Sequence, residues 1–224
     1  MNQLTTPIRP GPDVAAGLIL ISAALASVTA AAHHPVIKAH GRDDLFAQIR
    51  ETAVADRFVH GALIVCTIAL LFALFRFAQR LGTQRATVLL GLISYVFGAA
   101  AMISAALVDG FLAPEIGSSY LQAASNTPDD GVALLRFCSL AIQVFTKTGV
   151  IAVSVAILLW SAALIRAGRG PLLAAIVGVA VVLLQVYVLT HGGSAITAHT
   201  IIPIVIAMAV WYFAIGLLLI AGRI

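Results

Sequence analysis

Apolar residues come in six long runs, separated by polar stretches of very unequal length. The runs fall at residues 14–32, 58–80, 87–108, 148–166, 171–190 and 203–221. At a rise of about 1.5 Å per residue, about 20 apolar residues cross a hydrocarbon core of roughly 30 Å. The pattern therefore predicts an all-α polytopic membrane protein, a six-helix transmembrane bundle forming one integral domain over residues 1–224. Two longer outer segments, 33–57 and 109–147, carry most of the remaining polarity. A transmembrane barrel would instead show short alternating segments.

The local signals refine each run. Ala30-Ala31-Ala32 before His33 has the A-x-A form of a signal cleavage site, but the run exceeds the usual signal core, and we read it as helix 1. Residues 43–57 are amphipathic: Leu45, Phe46, Ile49 and Ala53 share one face, with Asp43 or Asp44 placed to cap it. This face lies on the membrane surface or over the bundle. No breaker separates the segment from the second run, which leaves a continuous helix or a bend near Gly61. The third run is rich in Gly and Ala, which permits close helix contact. Pro114 and the cluster Asn126-Thr127-Pro128-Asp129-Asp130-Gly131 punctuate 109–131. Beyond it, Arg136, Ser139, Gln143 and Lys147 form one polar stripe on a mostly apolar helix. Pro171 suits the first turn of the fifth span, and Pro203 opens or kinks the sixth. A faint repeat relates 43–109 to 132–191, pairing the level of His60 with Lys147 and Asp109 with His191.

Composition sharpens the picture. The 224 residues are 61% hydrophobic and 10% charged, against roughly 25% charged for a soluble domain. The net charge of +4 is spread along the chain, so nucleic acid is not an expected partner. Membrane lipids are, with the chain alone, as a homo-oligomer or as a subunit of a membrane complex. Cys66 and Cys138 lack a CxxC spacing and read as small buried residues. The links 80–87 and 166–171 carry arginines and no acid, whereas nearly all acids lie on the other face. The positive-inside rule then places both termini in the cytoplasm of a cell-membrane protein. Arg80–His60, Arg85–Asp109, Arg166–Lys147 and Arg169–His191 are each separated by about the 20 residues that cross the core. His60, Asp109, Lys147 and His191 therefore share one depth at the outer boundary, joined by His33, His34 and His199.

That layer carries the candidate chemistry. His33, His34, His40, His60, His191 and His199 are candidate metal ligands, for copper or zinc before haem, because none lies deep in the bilayer. Asp56 sits four residues before His60, where its carboxylate could orient the imidazole. Histidines also serve as ordinary polar residues at interfaces. A second candidate is an anion or lipid site at Arg57, Arg136, Gln143 and Lys147, unless the acids of the outer segments neutralise those cations. A small-solute transporter or a structural subunit is the remaining alternative. No charged residue lies mid-span, as a coupled carrier would favour, and no HExxH, CxxCH or nucleophile-elbow motif occurs.

Overall fold

The outer amphipathic segment and the second apolar run form a single helix. The computed structural model describes residues 11–38, 41–122, 128–191 and 196–224, with backbone alone at 42, 43, 121, 122, 128, 129, 198 and 199. In order, the elements are α1 (Val14–Ala32), α2 (Arg42–Leu81), α3 (Ala86–Leu107), a π turn (Val108–Leu112), α4 (Ala113–Gln122), α5 (Pro128–Leu164), α6 (Arg169–His191) and α7 (Ala198–Ile220). A short 3-10 turn, Ile165–Ala167, joins α5 to α6. Six helical stretches are long and apolar enough to cross a membrane, with α3, the π turn and α4 counting as one. Their outward faces carry residues such as Phe97, Leu173 and Leu183, each more than 60% exposed, which only a lipid environment tolerates on this scale.

Among the described residues, the polar segment after α3 is helical. Pro114 would break an α-helix by removing an N–H and clashing with the carbonyl four residues earlier. Here that earlier residue, Gly110, lies in the π turn, where Ala113 N–H bonds back five residues to Val108 O. The widened turn absorbs the proline, and the chain continues as α4. Pro203 likewise lies inside α7 rather than opening it.

Packing follows the small residues. A Cβ on Gly98 would come within 3.0 Å of Gly149 O, and one on Gly149 within 3.2 Å of Gly98 O, so α3 and α5 touch backbone to backbone. Gly17 and Gly216 bring α1 and α7 together in the same way. Between these contacts sits an aromatic core. Trp160 and Trp211 stack at 6.1 Å, and Phe77 meets both edge-on. Trp160 Nε1–H donates to Val88 O at 3.2 Å. Cys66 and Cys138 are buried free thiols, as expected.

The two ends of the bundle differ. At one end Asp13 caps α1 through Ala16 N–H and meets Arg76 at 3.0 Å and Arg80 at 3.5 Å. Its backbone N–H also donates to Leu219 O. At the other end, the first turns of α2 fold over the bundle. Phe46, Ile49 and Ala53 are buried there. Phe46 stacks on Tyr120 of α4 at 6.4 Å, and Gly117 makes room for Ile49. The apolar face of 43–57 thus covers the bundle rather than lying on lipid, and beneath it is the site described next.

Candidate functional site, a histidine–aspartate cluster over a deep cavity

His34, Asp56, His60 and Asp109 converge under the α2–α4 cap. His60 and Asp56 lie one turn apart on α2, and both are buried. His34 follows the end of α1, and Asp109 lies in the π turn. His60 Nε2 is 3.3 Å from Asp109 Oδ2, and His34 Nε2 is 3.5 Å from the same oxygen. The two rings meet edge to face at 4.9 Å. His34, Asp56 and His60 each offer a ligand atom, all within 4.8 Å of one another.

The hydrogen bonds settle the tautomers. His60 Nδ1 lies 2.9 Å from Asp56 O, and His34 Nδ1 lies 2.7 Å from Pro35 O. A carbonyl oxygen only accepts, so each Nδ1 carries a hydrogen, an inference from the network. In the neutral rings both Nε2 atoms then present lone pairs to one carboxylate oxygen, which also only accepts. A hydrogen on either Nε2 relieves the conflict among these three acceptors. The Asp109 hydrogen bond raises the pKa of His34 above the usual imidazole range; burial opposes it, and the charge of Asp109, the Pro35 carbonyl and Asp56 add to it. A fourth acceptor is close by: Asp56 Oδ1 is buried and accepts no hydrogen bond among the described residues.

The sequence-derived candidates divide sharply. His60 and His34 enter the cluster. His33 is exposed and bonds Thr29 O through Nδ1. His191 is exposed too, stacked on Tyr187 at 4.7 Å. The backbone of His199 lies in the first turn of α7, and His40 falls outside the described residues. Asp56 acts on His60 differently from expectation. Its main-chain carbonyl holds the ring, since a helical side chain reaches back to the carbonyl one turn earlier, while its carboxylate stands 3.9 Å from Nδ1. Asp109 was not among the candidate ligands. Helix lengths did place it at the depth of His60, which was the available signal.

Below the cluster lies a cavity of about 740 Å³. α1, α2, α3, α5 and α7 wall it, and its floor is Tyr95 and Tyr212. Their hydroxyls are 3.3 Å apart and satisfy each other. Of the four candidate anion-binding residues, Arg136 and Gln143 line this cavity, and Arg57 and Lys147 do not. Arg57 pairs with Glu115 at 3.0 Å. Thr146 takes the place on the lining that the polar stripe assigned to Lys147. Gln143 is engaged as a clamp: Nε2 donates to Ile196 O at 2.8 Å, and Oε1 accepts from Ile196 N–H at 2.6 Å. Arg136 is the remaining cation of that set at the cavity.

Fold and site together define a multi-pass membrane protein with a partly buried His–Asp cluster at one end of its bundle. No protein-family model, curated protein or solved structure matches the chain, so the site is interpreted from its own chemistry.

Proposed function

We propose that this membrane protein binds a divalent transition-metal ion, zinc in the first place, through His34 Nε2, His60 Nε2 and Asp109, with Asp56 as the fourth donor. The observation that carries the reading is the convergence of two Nε2 lone pairs on one carboxylate oxygen. Each imidazole donates its other N–H to a carbonyl, the arrangement that orients metal-bound histidines. A tetrahedral ion with ligands at about 2.0–2.2 Å sets its donor atoms roughly 3.3–3.5 Å apart. The separations of 3.3 and 3.5 Å at Asp109 Oδ2 are already of that size. The donors are nitrogen and oxygen, which suit zinc better than cuprous copper. Haem fits less well, because the two Nε2 atoms share one oxygen and leave no space between them for a macrocycle. The cluster lies on the outer face in the topology read from the arginines, with both termini cytoplasmic.

The test is elemental analysis of protein purified without chelator or His-tag, followed by cobalt substitution. Near-stoichiometric metal and a tetrahedral cobalt spectrum are expected, both lost in His60→Ala and Asp109→Ala. Substoichiometric metal after incubation with zinc would overturn the proposal.

A further inference from the structure

We infer that the cavity beneath the cluster holds a long-chain carboxylate, with its head at the metal and Arg136 and its chain extended toward the tyrosine pair. The position of the head rests on the metal reading above; the position of the chain rests on the cavity alone.

Size and polarity both point to a single chain. A volume of about 740 Å³ lies within the roughly 300–1,000 Å³ of small-molecule sites. Tyr95 at the floor and Asp109 at the mouth both belong to the stretch that begins with α3. The helical rise separates them by about 20 Å. The space is therefore extended along the bundle. Leu63, Ile64, Leu70, Ile103 and Val205 are among its walls. The ionisable groups on its lining that could meet a charged head, His34, Asp56, His60, Asp109 and Arg136, all belong to the outer end. The tyrosine hydroxyls bond each other, so the floor requires no polar group from a ligand. Ser27, Thr67, Ser139 and Thr146 also line it, and the first two donate to their own helix carbonyls; an extended hydrocarbon suits this mostly apolar wall better than a ligand polar along its length.

Charge selects the head. With a divalent ion in place, the carboxylates of Asp56 and Asp109 are neutralised, and Arg136 leaves the mouth positive. Without the ion the mouth is less positive and holds an anion less well. Binding of a fatty acid should therefore depend on zinc, and binding of the corresponding alcohol should not.

Hexadecanoic acid and hexadecanol serve as probes, with the full chain in detergent. Zinc should tighten hexadecanoate by about tenfold, the ratio equivalent to about 1.4 kcal/mol, and leave hexadecanol unchanged. Ala209→Trp, which fills the cavity from α7, should abolish binding of both. A diazirine-bearing hexadecanoic acid should label Met102, Met208 or Ile201 on the wild-type protein, a readout independent of any variant's folding. Labels confined to outward-facing residues such as Phe72 and Leu183 would overturn the proposal. So would equal binding of both probes with and without zinc. Failure of the metal reading looks different: no zinc is retained, yet cavity residues are still labelled by the alcohol analogue.

Discussion

Gly110 offers the sharpest perturbation of the site. It lies in the π turn directly against His60. A Cβ added there would lie 2.6 Å from His60 Cγ and 2.8 Å from Nδ1, and would collide with His60 Cβ. Ordinary carbon contacts are about 3.5–4.0 Å, so in Gly110→Ala the ring or the turn must shift by about 1 Å. Metal sites tolerate only about 0.2 Å in ligand distance. We expect zinc affinity to fall roughly 10–100-fold, the scale seen when the support of a ligand is disturbed. Overpacking costs about 1–3 kcal/mol, offset by about 0.5–1 kcal/mol from replacing a helical glycine. Gly61→Ala is the control. It adjoins His60 in sequence, but its added Cβ would meet only Phe111 Cζ at 4.0 Å, so zinc affinity should hold. Competition with a chromophoric chelator measures affinity, and thermal unfolding in detergent measures stability. Equal zinc affinity in Gly110→Ala and wild type would refute the assignment of His60 as a ligand.

Further predictions concern the bundle and its orientation. The folded protein holds the Asp13 pKa below its usual value; burial alone would raise it, but the Ala16 N–H, the Arg76 hydrogen bond and the charges of Arg76 and Arg80 outweigh that. The contribution of its charge is therefore present above the unfolded carboxylate pKa of about 3.9 and is lost as pH falls through the lower folded value. Unfolding curves from about pH 6 to about pH 3 should show that loss in wild type and not in Asp13→Asn; parallel curves would exclude it. Trp160→Ala removes the centre of the aromatic stack and should cost about 3–5 kcal/mol in unfolding free energy, and a cost near that of a surface substitution would contradict the packing. A cysteine at Ile37 should react with an impermeant maleimide added from outside the cell, and one at Thr83 should not; the reverse would invert the topology.

Much of the architecture was legible in the chain because the physics involved is local. Hydrophobic run lengths set the number of spans. The apolar face at Phe46, Ile49 and Ala53 predicted a buried side for 43–57, and the absence of a breaker allowed the continuous α2. At Pro114 the chain stays helical because the turn before it is a π turn, which the residue pattern alone does not reveal. That turn depends on the packing of Gly110 against His60, which pairs residues far apart in sequence.

For the site, the sequence suggested depth, and tertiary structure decided both azimuth and the offset between helices. Run lengths predict one level for His60, Asp109, Lys147 and His191, but the Gly98–Gly149 contact sets Lys147 deeper than Asp109. Each residue also rotates about 100° around its axis, and only contacts with neighbouring helices determine which direction faces inward. The Gly98–Gly149 and Gly17–Gly216 contacts help set those rotations for α3, α5, α1 and α7. Asp109 therefore meets His34 and His60, while His191 stacks on Tyr187 at the surface. For the same reason Thr146 rather than Lys147 lines the cavity. The meeting of four side chains, from the residue pair after α1, from α2 and from the π turn, requires the packed bundle.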